Sequence, residues 1–320
     1  MATITLTDGT RHTLPDPAAL ADSNCGAPGV WRFASSTAGP RVAITALIHG
    51  NEVCGAHAAW QLVQSSPQPK SGTLTVVFCN LEAYSRLDDA TKADRRCVDE
   101  DLNRVWGRID APAQAGDTYE MRRAREILPF VQGADVLLDI HSMTNAAPAL
   151  GLVGLAPKNV AFAQQVGFPA LLVRDAGHAS GLRLIDRAPF GDAAAAPVAM
   201  LIECGQHFSR EALVAAEESV RRTVAVFAHG ESIAAASAQS LIEVTQAVTI
   251  ETEAFEWVKD WPNMAVVPKA GTLVGRDGAR DVRTPYDDTW MVMPSLSARH
   301  RKPGLTAVRF GRTVPTTYIP

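Results

Sequence analysis

Two histidines and one glutamate stand where apolar segments end, and packing alone gives no reason for them. His49 and Glu52 lie three residues apart after a segment that closes with Leu47, and His141 ends a second segment. Gly50 permits a tight turn, so that both neighbouring side chains can point to one place. Two imidazoles and one carboxylate are a known ligand set of catalytic zinc, with a fourth position left for water. The spacing therefore favours a zinc site.

Alternative interpretations of these residues remain open from the sequence. An H-x-x-E pair by itself also occurs as capping or surface residues, and the strand-ending His141 is what favours the metal. Asp139 lies two residues before His141 and therefore on the same face of the strand, where it can accept a hydrogen bond from the imidazole. A buried acid that caps a loop explains Asp139 equally well.

The elements that must position these residues alternate along the chain. Five short apolar segments predict buried strands at 41–49, 73–80, 136–141, 170–175 and 198–204. Helical periodicity lies between them at 52–64, 119–131 and 209–228. This alternation predicts an α/β fold, with a mostly parallel mixed sheet flanked by helices. Ligands bind beyond the carboxyl ends of such strands, where Glu203 also lies.

The pattern changes after Gly230. Short β-like segments begin near residues 272, 289 and 306 and are separated by Gly, Pro and Asp turns. We therefore expect an α/β domain over 1–240 and a smaller, all-β C-terminal domain over 241–320.

A polar loop carries the sequence DLNR at 101–104. The guanidinium of Arg104 can bind a carboxylate with two parallel hydrogen bonds, and Asn103 can share that carboxylate. The alternative is a solvated loop whose charges pair with one another, which is the interpretation we adopt for Arg95, Asp99 and Glu100.

Composition excludes several classes of protein. The 320 residues carry a net charge of -4 and no basic block, so nucleic acid is not an expected partner. No segment reaches the roughly 20 apolar residues of a membrane helix, and the N-terminal sequence predicts a strand rather than a signal peptide. Five scattered cysteines indicate reduced thiols and a cytoplasmic protein.

Four motifs in order carry a resemblance. HGNE at 49–52, DLNR at 101–104, DIHS at 139–142 and IECG at 202–205 resemble the succinylglutamate desuccinylase and aspartoacylase family, zinc hydrolases related to carboxypeptidase A. The resemblance spans the α/β part, implies a zinc carboxypeptidase-like fold, and is compatible with a β-rich C-terminal domain.

The resemblance implies a reaction and a set of site residues. The reaction is hydrolysis of a small N-acyl amino acid to a carboxylate and a free amine, with one Zn²⁺ per chain. The implied residues are the zinc ligands His49, Glu52 and His141, the catalytic residues Glu203 and Arg96, and the substrate-binding residues Asn103 and Arg104. In this scheme Glu203 moves protons, while Arg96 and zinc hold the oxyanion.

The sequence departs from the family pattern at two places. Ala193 stands where aspartoacylase has an arginine that binds the second carboxylate of N-acetylaspartate, although Arg183 and Arg187 are nearby in sequence. A substrate-contacting tyrosine of aspartoacylase falls near Arg299 and His300. The departures weaken any assignment of acetylaspartate and leave the metal chemistry unaffected.

Two other functions remain as alternatives. A metallocarboxypeptidase that trims a short peptide would use the same zinc and carboxylate clamp. A non-catalytic zinc or ligand-binding protein is the other alternative, against which Glu203 and Arg96 argue because metal binding needs neither. The sequence leaves the acyl group, the amino acid and any homo-oligomer undetermined.

Overall fold

The computed structural model describes residues 3–178, 180–297 and 301–316. Its α-helices are α1 (Pro17–Ala21), α2 (Val53–Gln64), α3 (Leu81–Ser85), α4 (Tyr119–Val131), α5 (Pro157–Val166) and α6 (Arg210–Thr223). Short 3₁₀ turns cover Lys92–Asp94, Leu102–Arg104 and Leu184–Asp186, and a π-helical turn covers Val224–Ala228. Within the described ranges, every helix is too short or too polar to span a lipid bilayer.

The first nine strands belong to the α/β part. They are β1 (Thr3–Thr5), β2 (Arg11–Thr13), β3 (Val30–Ala34), β4 (Arg41–Ala46), β5 (Thr73–Phe78), β6 (Val136–Met143), β7 (Leu150–Leu152), β8 (Leu171–Arg174) and β9 (Val198–Gln206). The five predicted strands correspond to β4, β5, β6, β8 and β9.

The later strands form the C-terminal part. They are β10 (Ser240–Thr249), β11 (Phe255–Trp257), β12 (Ala265–Val267), β13 (Leu273–Asp277), β14 (Arg280–Arg283), β15 (Thr289–Val292) and β16 (Thr306–Val314).

One eleven-stranded sheet organises the chain, in the order β12-β15-β16-β10-β8-β7-β9-β6-β4-β5-β3. The pairs among β5, β4, β6 and β9 are parallel, as are those among β7, β8 and β10. The antiparallel pairing of β7 with β9 joins these two groups. The predicted mixed α/β fold is therefore confirmed.

Helices cover both faces of this sheet. On one face, α2 and α6 bury small side chains, among them Ala56, Ala59 and Ala216, against Ile44 and Ile140. On the other face, α4 packs in a second apolar cluster. The side chain of Ser209 caps α6 by accepting a hydrogen bond from the Ala212 amide.

The expected domain boundary coincides with the start of β10. That strand pairs with β8 through residues 240–243 on one edge and with β16 through residues 241–249 on the other, so the main sheet continues across residue 240. A third apolar cluster, including Val248 and Phe310, and a separate sheet of β11, β13 and β14 lie beyond it. The division into 1–240 and 241–320 stays a proposal.

Candidate active site

Adjacent strands bring the predicted residues to one edge of the sheet. Because β6 lies between β4 and β9, their carboxyl ends are neighbours. His141 of β6 is directly opposite Glu203 of β9, and Asp139 is directly opposite Thr45 of β4. Pairing register alone therefore places an imidazole beside a carboxylate.

The turn that carries His49 differs from the prediction, which assigned its tight conformation to Gly50. The left-handed backbone conformation occurs at Leu47, with φ of 58°, and not at Gly50. Gly50 is required for a different reason: a Cβ there would lie 2.5 Å from the carbonyl carbon of Ala83. Glu52 then occupies the N-cap position of α2. Close packing of two backbone segments, and not turn conformation, requires glycine at position 50.

Three buried side chains converge at this turn. His49 Nδ1 lies 2.8 Å from Glu52 Oε1, and His141 Nδ1 lies 2.9 Å from Glu52 Oε2. The ligand atoms of the three residues all lie within 4.8 Å of one another, and each residue is at most 3% exposed. The structure thus assembles the predicted metal-ligating set.

The opposite nitrogens of both imidazoles face carboxylates. His49 Nε2 lies 2.9 Å from Asp101 Oδ1, and His141 Nε2 lies 3.0 Å from Asp139 Oδ2. If each Nε2 donates its proton to its acid, each Nδ1 presents a lone pair toward Glu52. Three acceptors that face one another in a buried space are the surroundings that a metal cation requires.

In the metal-free cluster the charge of Glu52 depends on its histidine neighbours. Burial alone raises the pKa of Glu52, but positive charge on the imidazoles of His49 and His141 outweighs burial and holds that pKa well below its usual range. A metal held by the Nδ1 atoms would replace that positive charge. Glu52 Oε2 has no well-aligned hydrogen-bond donor among the described residues, despite the nearby His141 nitrogen. The glutamate is therefore an anion with a buried oxygen available to a metal.

Asp101 connects the cluster of His49, Glu52 and His141 to the polar loop. Its Oδ1 accepts hydrogen bonds from His49 Nε2 and, at 2.8 Å, from the Asn103 amide. Its Oδ2 accepts a hydrogen bond of 2.8 Å from Arg96 Nη2 and lies 3.9 Å from Arg104 Nη2. Sequence reasoning identified the other four residues and missed Asp101, although it is the first letter of the DLNR motif.

The three predicted residues Arg96, Asn103 and Arg104 lie around Asp101, next to the histidine and glutamate cluster. Arg96 Nη1 is 3.8 Å from Glu52 Oε1, and the Arg96 carbonyl accepts a hydrogen bond from the Gly50 amide. Arg104 Nη1 donates to the Asn103 carbonyl, and Asn103 Oδ1 accepts a hydrogen bond from the Leu184 amide. The oxygen of Asn103 is thus occupied, which leaves its side-chain nitrogen as the group for a ligand.

Glu203 has the environment of a proton-transfer group. The residue is 8% exposed, and its Oε2 has no hydrogen-bond partner among the described residues. Burial raises the pKa of Glu203 to about 8, although His141 and Arg96 act in the opposite direction. A carboxyl group whose pKa lies near neutrality can accept and return a proton.

The residues considered as replacements at Ala193 are already engaged. Arg183 is buried between Asp175 and Asp186, at 2.7 and 2.5 Å. The guanidinium of Arg187 binds Asp110 and the Trp106 carbonyl. Arg299 and His300 lie outside the described residues.

A buried histidine near the site also went unpredicted. His207 Nδ1 lies 2.8 Å from the hydroxyl of Ser142, the residue after His141. Burial lowers the pKa of His207 to about 4, so its ring is neutral near pH 7. No periodicity or motif spacing distinguishes this histidine from a packing residue.

Comparisons with known proteins show the family of this chain. The family model described as the succinylglutamate desuccinylase/aspartoacylase catalytic domain matches residues 38–228. The N-acyl-aromatic-L-amino acid amidohydrolase (carboxylate-forming) of Rattus norvegicus is 34% identical over 114 residues. That match covers 32% of this chain and 34% of the relative, so it spans about a third of either protein.

Solved structures share the fold over most of their length. A succinylglutamate desuccinylase of Vibrio parahaemolyticus superposes with a TM-score of 0.67 at 16% identity, over 90% of this chain and 87% of that one. Murine aminoacylase 3 superposes with a TM-score of 0.57 at 18% identity, over 88% of this chain and 97% of that one. Because the family match covers more than half of the 320 residues, this chain belongs to the succinylglutamate desuccinylase/aspartoacylase family.

Proposed function

We propose that this protein is a zinc-dependent amidohydrolase that cleaves a small N-acyl amino acid into a carboxylate and a free amino acid. The observation that carries the proposal is the position of Glu203. Its buried carboxylate, whose Oε2 has no hydrogen-bond partner among the described residues, stands directly opposite His141, beside three convergent side chains that could hold a metal. A metal held by His49, Glu52 and His141 does not need this carboxylate as a ligand.

The metal-ligating residues would be His49, Glu52 and His141. Zinc held by these residues would polarise an amide carbonyl and lower the pKa of a bound water toward about 7. Asp101 and Asp139 fix the orientation of the two imidazoles through their Nε2 atoms. The fit of the acceptor set to a divalent cation supports zinc as the cofactor.

Other residues of the chain move the proton, stabilise the oxyanion and bind the substrate. Glu203 takes a proton from the attacking water and returns it to the nitrogen of the leaving amine. Arg96, held by Asp101, donates hydrogen bonds to the oxygen on which negative charge develops. Asn103 and Arg104 bind the α-carboxylate and thereby set the position of the scissile amide.

The names of the relatives support the substrate class. The amidohydrolase of Rattus norvegicus is named for N-acyl-aromatic amino acids, and the Vibrio protein for succinylglutamate. Both are N-acyl amino acids that differ in acyl group and side chain. We therefore propose the class and leave the individual substrate to experiment.

A substrate screen tests the proposal. Zinc-loaded protein is incubated with formyl, acetyl and succinyl amino acids, including acidic and aromatic ones, and with dipeptides, and amine release is measured. We expect turnover of at least one acyl amino acid and its loss after chelation. Turnover of dipeptides alone would favour the carboxypeptidase, and full zinc binding without any turnover would favour a binding protein.

A further inference from the structure

A buried arginine from the C-terminal part lies near the carboxylate-binding residues. Arg309 of β16 is 7% exposed, and its Nη2 lies 2.9 Å from His178 Nδ1. Its Nε lies 3.7 Å from Asp175 Oδ2, too far for a hydrogen bond. Residue 309 lies beyond the segment 38–228 that the family model matches.

Among the described residues, the acid paired with Arg309 is Asp175, which another arginine binds more closely. Arg183 Nη2 lies 2.7 Å from Asp175 Oδ1. Arg104 is in the same situation, since its acid, Asp101, is bound at 2.8 Å by Arg96 and lies 3.9 Å from Arg104. Arg104 and Arg309 are therefore two largely buried guanidinium groups, each with a carboxylate that is already engaged.

The described ion pairs of this region differ in distance. Arg96 binds Asp101 at 2.8 Å, and Arg183 binds Asp175 at 2.7 Å. Arg104 and Arg309 lie 3.9 and 3.7 Å from those same two acids. Burial, together with Arg309 and Arg104, lowers the pKa of His178 to about 2, so the imidazole adds no charge. A buried guanidinium that lacks a hydrogen-bonded acid is costly, and a bound carboxylate would offer acceptors to both Arg104 and Arg309.

The loop that ends at Leu182 connects the two arginines. His178, which contacts Arg309, forms a β-bridge with Gly181. A Cβ at Gly181 would overlap the Arg104 carbonyl oxygen, so only glycine allows this approach. Leu182 then pairs with Val105, next to Arg104. Arg104 and Arg309 thus contact the two ends of one short segment.

We propose that Arg309 is a substrate-binding residue that shares the α-carboxylate of the substrate with Arg104. The proposal rests on the proposed function, because it names a further residue of the same site. A carboxylate has two oxygens and about four acceptor positions, enough for two guanidinium groups. The C-terminal strand β16 would then contribute directly to recognition of the amino acid.

The test compares an N-acyl amino acid with its amide, which lacks the negative charge. Arg309→Met and Arg104→Met are measured beside Arg312→Met, a control on the same strand whose exposed guanidinium binds Glu243. Loss of one charge-assisted interaction should raise KM for the acid about 10- to 100-fold and change kcat little. KM for the amide should stay within about 2-fold, and Arg312→Met should match the wild type for both compounds.

Two results would contradict the proposal that Arg104 and Arg309 share the α-carboxylate of the substrate. A folded Arg309→Met variant that keeps the wild-type preference for acid over amide would show a purely structural arginine. Loss of affinity confined to substrates with a second, side-chain carboxylate would show that Arg309 binds that group instead. If Arg309→Met does not fold, Arg309→Lys decides, because it keeps the charge but not the planar fork, and wild-type KM for the acid would overturn the proposal.

A binding measurement distinguishes failure of this inference from failure of the proposed function. Calorimetric titration of the Glu203→Gln variant with the same acid and amide reports carboxylate recognition without turnover. Should the wild type hydrolyse no acyl amino acid, the proposed function fails. A preference for the acid in Glu203→Gln that disappears in Glu203→Gln/Arg309→Met would still support carboxylate binding by Arg309, and an unchanged preference would refute it.

Discussion

The Oδ1 atom of Asp101 lies 2.9 Å from His49 Nε2, while Oδ2 of the same carboxylate binds Arg96. One acid therefore orients a predicted metal ligand and a predicted catalytic arginine together. Burial opposes ionisation of Asp101, but His49 and Arg96 outweigh it and hold its pKa far below the usual range. In the proposed function, Asp101 would therefore couple metal binding to carbonyl polarisation.

Replacing Asp101 with Asn tests that coupling. The amide keeps the size of the side chain but removes the charge that orients His49 and Arg96, so we expect zinc affinity to fall about 10- to 100-fold. Chelator competition measures the affinity, and kcat at saturating zinc should fall as well. Asp99→Asn is the control, since the exposed side chain of Asp99 accepts a hydrogen bond from the Tyr119 amide alone among the described contacts. Equal zinc affinity in Asp101→Asn and wild type would show that Asp101 does not support the ligand.

His141→Ala should lose metal and activity together. The substitution leaves two of the three convergent ligands, too few for a catalytic zinc site. Zinc content after dialysis is the measurement, and His229→Ala, at a histidine distant in sequence from the site motifs, is the control. Near-stoichiometric zinc in His141→Ala would exclude this ligand set.

Gly50→Ala should destabilise the protein through packing. The added Cβ would lie 2.5 Å from the backbone of Ala83, so one of the two segments must move. Overpacking of this kind costs about 1 to 3 kcal/mol in the free energy of unfolding. Thermal unfolding of the metal-free protein measures the loss. Gly116→Ala is the control because a Cβ there meets no atom within 4 Å, and equal Tm values for the two variants would contradict the packing argument.

The sequence predicted the elements whose apolar pattern is local. Strands β4, β5, β6, β8 and β9 are continuous apolar segments, and the residues at their ends follow from parallel pairing. The short strand β7 was missed because its three residues carry no period, although it inserts between β8 and β9. The local apolar pattern thus predicts which segments are strands, but it does not predict the order in which the strands pair.

Asp101 and Arg309 show why part of the site was not predictable. Asp101 contacts His49 across 52 positions of sequence, and Arg309 contacts His178 across 131. Charged residues in loops and strands usually face solvent, so composition favours the wrong interpretation for both. Their roles depend on which distant segments fold against each other, and a single sequence carries no period or spacing for that.

Glu203→Gln distinguishes an enzyme from a metal-binding protein. Gln keeps the size and hydrogen-bonding capacity of the side chain but removes its basicity, and positioned acid-base groups contribute about 10² to 10⁴ in rate. We therefore expect kcat to fall at least 100-fold on the best substrate. Zinc content and substrate affinity should stay near the wild-type values, since Glu203 is not among the metal-ligating residues.

The control for that variant is Glu256→Gln, which makes the same change at an exposed position of β11. It should leave kcat, KM and zinc content unaltered. Wild-type kcat in Glu203→Gln would mean that Glu203 is structural and that another group moves the proton. Reduced zinc content in Glu203→Gln would instead mean that the carboxylate contributes to metal binding, because its position opposite His141 allows that role.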